Sequence, residues 1–147
     1  MKIEYRTGDL LKSSLQAIAH GCNSQGVMGS GIAKQIKEQY PDAFKMYRIA
    51  FVKSGLQIGT NIWSSYNNTI IVNCITQPFF GNDKKRYVSY DAISDCMKDI
   101  NSNLFNAGIY EIGLPLIGAG LGGGNWNIIS SIIEEELTKI KPIVFTL

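Results

Sequence analysis

The chain has 147 residues, of which 45% are hydrophobic and 18% charged, and its formal net charge is +2. This size and composition predict one globular domain over residues 1–147, because such a chain buries roughly 68–70% of its unfolded surface without help from disulfides or structural metals. The small net charge argues against a polynucleotide-binding domain, which normally has a large basic face. No apolar run approaches about 18 residues, so no membrane span is expected.

The numbers and spacing of cysteine and histidine indicate whether disulfides or a metal site are to be expected. The three cysteines, Cys22, Cys74 and Cys96, are widely spaced and odd in number, which is typical of reduced thiols packed as small apolar groups. With one histidine and no paired cysteines, the sequence offers no zinc site. We expect a cytoplasmic, monomeric protein without a bound metal or cofactor.

In chain order, the first half of the sequence alternates short apolar runs with segments of helical period. The predicted elements are strands over 3–5 and 15–19, helices over 32–40 and 43–52, and strands over 61–65 and 69–75. Gly8-Asp9 ends the first strand, Pro41 ends the first helix, and Asn67-Asn68 forms a turn between the last two strands.

The second half continues the alternation. It predicts a helix over 89–105, a strand over 109–117, a helix over 126–139 and a strand over 143–147. In the long helix, Ile93, Met97, Ile100 and Leu104 form an apolar stripe. The pattern predicts the α/β class, with a mixed sheet covered by helices on both faces.

Two glycine-rich stretches, residues 21–31 and 118–124, each follow a predicted strand and precede a predicted helix. Glycine lets the backbone approach a ligand closely, and a helix N-terminus adds unpaired N–H groups that suit phosphate. In an open α/β sheet both stretches belong at the carboxyl ends of the strands, where ligands bind. Together they predict a site for a diphosphate, and the alternative is a pair of tight strand-to-helix turns.

Two common nucleotide-binding motifs are disfavoured. Gly118, Gly120 and Gly123 match the dinucleotide fingerprint, which also requires an acidic residue after a further strand about 20 positions on. The acids Glu134-Glu135-Glu136 fall in a predicted helix instead. Residues 21–31 lack the Gly-Lys-Ser/Thr ending of a P-loop, so hydride transfer and ATP hydrolysis are not expected.

Four motifs, spread over nearly the whole chain, resemble those of the macro domain, the ADP-ribose-binding α/β/α module. The motifs are Gly8-Asp9-Leu10, His20-Gly21-Cys22-Asn23, Gly26-Val27-Met28-Gly29-Ser30-Gly31-Ile32-Ala33 and Pro115-Leu116-Ile117-Gly118-Ala119-Gly120-Leu121-Gly122-Gly123. The loop signatures are similar to the branch that contains ADP-ribose-1''-phosphate phosphatases and hydrolases that remove ADP-ribose from glutamate side chains or DNA. The resemblance implies a three-layer fold and a small-molecule ligand, ADP-ribose or a derivative, which ADP-ribosylated macromolecules would also carry.

The resemblance implies roles for single residues, each with a structural alternative. Asp9 would accept a hydrogen bond from the adenine amino group, or cap a turn or helix. Asn23 would hold the distal ribose, or occupy a positive-φ turn position. His20 would act as general base on a water molecule, or be a hydrogen-bonded structural residue.

Loop backbone completes the implied site. Residues 27–31 would wrap the distal ribose, 118–122 would cradle the diphosphate, and 145–147 would cover the adenine unless Phe145 belongs to the core. The implied ligand-binding set is Asp9, Leu10, Asn23, Val27, Met28, Gly29, Gly31, Ile32, Ile117, Gly118, Ala119, Gly120, Leu121, Gly122 and Asn125, with His20 and Asn23 as the catalytic residues.

Several positions depart from the family pattern. Asn125 replaces the aspartate of the phosphatase-like branch, and an amide cannot act as a base. Gln77 lies in the region where the branch that cleaves ADP-ribose from macromolecules has a lysine, and glutamine cannot form a Schiff base. Gly122 stands where that branch has an acid. Lys84 and Lys85 are interpreted as a solvated surface run, with a shifted alignment as the alternative.

The leading functional prediction is a metal-independent hydrolase of ADP-ribose-1''-phosphate, in which backbone N–H groups stabilise the phosphate charge. The alternatives are a non-catalytic reader or sequestering module for ADP-ribose, a hydrolase that removes ADP-ribose from a macromolecule, and a scavenger of another adenine-nucleotide signal.

Overall fold

The computed structural model describes residues 1–81, 83 and 85–147, which form six strands and four α-helices. The strands are β1 (Glu4–Thr7), β2 (Ala17–Asn23), β3 (Asn61–Tyr66), β4 (Thr69–Gln77), β5 (Glu111–Leu114) and β6 (Lys141–Thr146). The helices are α1 (Gly31–Gln39), α2 (Pro41–Ser54), α3 (Tyr90–Asn106) and α4 (Trp126–Glu136). None of the helices in these described ranges is long and apolar enough to cross a membrane.

Local sequence signals explain where several elements begin. Pro41 is the first residue of α2, a position at which its missing N–H costs no helical hydrogen bond. The side chains of Ser89 and Asn125 accept hydrogen bonds from the first turns of α3 and α4. Asn67 and Asn68 both have positive φ, as a tight hairpin between β3 and β4 requires.

The sheet has the order β1-β6-β5-β2-β4-β3, and only β3, at one edge, runs antiparallel to its neighbour. β2 pairs with β4 along its whole length, from Ala17 to Asn23. It pairs with β5 at one position, where Ile18 lies opposite Gly113. The next two strands in the chain, β3 and β4, therefore lie on one side of β2 within the sheet, and β5 lies on the other side.

Alternating side chains of the central strands build a core on each face. Ala17 and Ala19 belong to the core under α3 and α4, which also buries the predicted apolar stripe of α3. Ile18 and Cys22 belong to the cores under α1 and α2. The predicted α/β class, with a mixed sheet between two helical layers, is confirmed.

Strand and helix ends differ from the prediction in ways that affect the site. β2 continues to Asn23 rather than ending near residue 19, because its ladder with β4 extends to Gln77. β5 ends at Leu114 rather than 117, where Pro115 has no N–H to donate. We call residues 24–30 loop 1 and residues 115–125 loop 2. Two further differences are the end of α4 at Glu136 and a short 3-10 turn over Leu10–Lys12.

Candidate ligand-binding cleft

Loop 1 and loop 2 face each other across a cleft of about 910 Å³ at the carboxyl ends of β2 and β5. This volume is in the range of small-molecule sites, about 300–1,000 Å³. The cleft lies where the strand order reverses, which is the usual ligand position in open α/β sheets. Its walls are mainly glycine backbone and apolar side chains.

Unpaired backbone N–H groups are the main polar feature of the loop 2 wall. Those of Gly118, Gly120, Leu121 and Gly122 have no acceptor within residues 1–81, 83 and 85–147. All four residues line the cleft. Successive free N–H groups of this kind form a concave site that favours an anion.

The opposite wall contains the N-terminus of α1. Ser30 occupies the N-cap position, but its side chain makes no capping hydrogen bond, unlike Ser89 and Asn125 at α3 and α4. The first N–H groups of α1, from Gly31 to Ala33, therefore lack helical partners and line the cleft. The partial positive charge of the helix end adds to the preference for an anion.

Loop 2 is held in shape by its own backbone. The N–H of Gly124 donates to the carbonyl of Gly118 at 2.8 Å, and Gly118 has a φ of 77° that side-chain-bearing residues rarely adopt. The carbonyl of Gly122 accepts from the N–H groups of Tyr87 and Val88 at 2.7 and 3.1 Å. The donors of this wall are thus oriented before any ligand arrives.

Asn23 lies at the end of β2 and lines the cleft. Its Nδ2 donates to the Val27 carbonyl at 2.9 Å, and its Oδ1 accepts from the Gln25 N–H at 2.9 Å. Asn67 and Asn68 are the only non-glycine positions with positive φ in the described chain, so the turn alternative for Asn23 does not apply. Asn23 is a strand residue whose amide is oriented by loop 1.

His20 does not reach the cleft. Its side chain is fully buried on the α1/α2 face, and Nε2 lies 2.6 Å from Oδ1 of Asn73. Asn73 in turn donates to the Ala43 carbonyl of α2 at 3.0 Å. Burial lowers the pKa of His20 from its ordinary 6.5 to about 4. This arrangement matches the structural alternative and provides neither access to a substrate nor a base poised near neutral pH.

The other predicted site residues divide into two groups. Those that line the cleft with Asn23 are Val27, Gly29, Gly31, Ile32, Ile117, Gly118, Ala119, Gly120, Leu121 and Gly122. Four predicted residues do not line the cleft. The Asp9 carboxylate caps the 3-10 turn by accepting from the Leu11 N–H at 2.9 Å, and Asn125 caps α4. Leu10 and Met28 are buried in the core. Phe145 packs against the core that contains Leu10.

Some cleft residues were not predicted as ligand contacts. Phe80 and Gln77 also line the cleft, and the Gln77 Nε2 donates to the Phe79 carbonyl at 2.7 Å. The signal for Gln77 was its departure from the family lysine, whereas nothing in the local sequence identified Phe80. Lys84 lies outside the described residues, and Lys85 is exposed and 3.8 Å from Asp83.

Charged side chains are missing from the described lining. Within it the chain places no carboxylate and no basic group, and the Cys22 thiol stays protonated because burial raises its pKa. Among the described residues, no three His, Cys, Asp or Glu side chains are grouped so that they could hold a metal. The cleft can donate hydrogen bonds, but its described walls offer no acid–base group.

Three known proteins illustrate what this chain is similar to. A 17.5 kDa protein of Enterobacteria phage T4 is 28% identical, with 98% of this chain and 96% of that protein aligned. An ADP-ribose 1''-phosphate phosphatase of Candida albicans is 26% identical over 90% of this chain and 92% of its own length. A DNA ADP-ribosyl transferase–glycohydrolase fusion protein of Thermosipho africanus is 26% identical over 91% of this chain, which spans 38% of that protein.

A solved structure from the last organism, Thermosipho africanus DarTG in complex with ADP-ribose, superposes with a TM-score of 0.81. The identity is 25%, over 97% of this chain and 41% of that one. The family model of the macro domain matches residues 19–133, which include most of β2, both loops and most of α4. The chain belongs to the macro-domain family.

Proposed function

We propose that the chain binds ADP-ribose, free or attached to a larger molecule, in the cleft between loop 1 and loop 2. The observation that carries the proposal is that N–H groups on both facing walls lack an acceptor among the described residues, at Gly118, Gly120, Leu121 and Gly122 and at the start of α1. A diphosphate between the walls would satisfy donors that have no acceptor among the described residues.

Asn23 in the cleft lining and Asp9 outside it would give the two ends of the ligand different partners. Asn23 at the end of β2 would donate to the distal ribose. Asp9 uses Oδ1 to cap the 3-10 turn, and its second carboxylate oxygen would accept from the adenine amino group. Support for this ligand also comes from the related Thermosipho africanus structure, which was solved with ADP-ribose.

Recognition without turnover is the activity that the described geometry supports best. The described lining has no ionisable group suited to proton transfer, and His20 is buried away from it. A second candidate is hydrolysis of ADP-ribose-1''-phosphate, favoured by the Candida albicans phosphatase that this chain matches over nearly its whole length. In that case the loop N–H groups would stabilise the phosphate charge.

Calorimetric titration with ADP-ribose, run beside a phosphate-release assay on ADP-ribose-1''-phosphate, tests both candidates. AMP, which lacks the diphosphate, serves as the control ligand and is expected to bind at least tenfold more weakly. Binding without release supports the reader function, and binding with multiple-turnover release supports the phosphatase. If ADP-ribose binds no better than AMP, the assignment of the two walls to a diphosphate is wrong.

A further inference from the structure

A tyrosine outside the cleft contacts the last residue of β2 and the middle of loop 1. Tyr47 lies on α2, and its ring is fully buried among Cys22, Met28 and Ile75. Its hydroxyl lies 2.6 Å from the main-chain carbonyl of Asn23 and 3.0 Å from the Oδ1 of the same residue. The Tyr47 oxygen also accepts the N–H of Val27 at 3.1 Å.

These contacts constrain the direction of the Asn23 amide. A phenol has one proton to donate, which the Asn23 main-chain carbonyl at 2.6 Å and Oδ1 at 3.0 Å share as acceptors, while the phenol oxygen accepts from loop 1. Oδ1 of Asn23 is thus approached by two donors, the Tyr47 hydroxyl and the Gln25 N–H. A flipped amide would place its NH₂ group against the Gln25 N–H, so the observed orientation is the favoured one.

The orientation determines what Asn23 offers to a ligand. One Nδ2 hydrogen is used by the Val27 carbonyl at 2.9 Å, and the second is the remaining polar group of the side chain. Asn23 therefore acts toward the cleft as a hydrogen-bond donor, because its acceptor oxygen already has two partners. Burial also raises the pKa of Tyr47, so the hydroxyl keeps its proton across the neutral range.

We propose that Tyr47 is a positioning residue: its hydroxyl sets the Asn23 amide as a donor toward an oxygen atom of the ligand and holds loop 1 at Val27. The complementary ligand group is a hydroxyl or phosphate oxygen that accepts a hydrogen bond. This inference rests on the proposed ADP-ribose function, with Tyr47 acting through Asn23 rather than touching the ligand.

Tyr47→Phe removes only the hydroxyl and keeps the buried ring. It is expected to weaken ADP-ribose binding about tenfold, since a net buried hydrogen bond is worth about 1 kcal/mol or slightly more. In an Asn23→Ala background the same change should weaken binding less than it does in the wild type, because the side chain through which part of the effect acts is gone, while the Tyr47 contacts with the Asn23 carbonyl and the Val27 N–H remain. Tyr110→Phe, on the exposed surface before β5, is the matched control and should bind like the wild type.

A readout that needs no ligand separates this inference from the proposed function. Amide hydrogen exchange at Val27, followed by NMR, should accelerate in Tyr47→Phe and stay unchanged in Tyr110→Phe. Equal losses of affinity in both Asn23 backgrounds would mean general loosening and overturn the inference, as would unchanged affinity with a wild-type Val27 exchange rate. If the wild type does not bind ADP-ribose, the proposed function fails, and the exchange rate alone decides whether Tyr47 holds loop 1.

Discussion

Acidification from pH 7.5 to pH 5 is expected to destabilise the fold by about 2 kcal/mol through His20 alone. The folded protein lowers the pKa of this imidazole from 6.5 to about 4, because burial disfavours the charged form more than the hydrogen bond to Asn73 favours it. Between these pKa values the unfolded chain binds a proton that the folded chain does not. Stability is therefore retained above pH 6.5 and lost as the pH falls toward 4.

The magnitude follows from the shift. Each pKa unit corresponds to about 1.4 kcal/mol, and at pH 5 about 1.5 units of the difference are expressed, which yields about 2 kcal/mol. Urea unfolding at pH 7.5, 6 and 5, followed by tryptophan fluorescence, measures the free energy of unfolding directly. The comparison protein is His20→Gln, which keeps a donor for Asn73 but does not titrate.

The wild type should lose about 2 kcal/mol more than His20→Gln over this pH range. Lower stability of the variant at every pH does not matter, since only the pH dependence is compared. Parallel loss of stability in the two proteins would refute the assignment of a buried, neutral imidazole.

Three further predictions concern the ligand. Gly122→Ala should weaken ADP-ribose binding at least tenfold by calorimetry, because the added Cβ would lie 2.7 Å from the Gly118 carbonyl and displace loop 2; wild-type affinity would contradict this. Asn23→Asp should lower affinity at least tenfold, since it replaces the donor NH₂ by a charged acceptor; tighter binding would show that the ligand donates at this position. The wild type should bind ADP-ribose at least tenfold more tightly than the analogue with hypoxanthine in place of adenine, because only adenine has the amino group. Asp9→Ala should lose this preference. If the variant keeps the preference, the role of Asp9 is limited to its hydrogen bond with the Leu11 N–H.

The parts of the fold that depend on short-range patterns could be predicted from the sequence. The stripe of α3 has helical spacing, Pro41 separates α1 from α2, and the two asparagines at 67 and 68 suit a hairpin. The glycine-rich stretches likewise indicated both walls of the cleft, because backbone conformation at glycine is a local property.

Features that depend on distant partners could not be predicted in this way. His20 is hydrogen-bonded to Asn73, which lies 53 residues further along the chain, and nothing beside His20 in the sequence signals that contact. Tyr47 lies 24 residues after Asn23 and fits the helical period of α2 as an ordinary core residue. The end of β2 was misplaced for the same reason, since the ladder with β4 extends the strand beyond its apolar run.

The single pairing position between β2 and β5, at Ile18 and Gly113, has a mechanical consequence for the molecule. It makes the line between these strands a seam between two halves, β3-β4-β2 on one side and β5-β6-β1 on the other. Each half contributes one wall of the cleft, so a ligand that contacts both walls links the two halves of the sheet. Slow-exchanging amides should therefore gain most protection along β2 and β5 when the ligand binds, and less at the outer edges of the sheet.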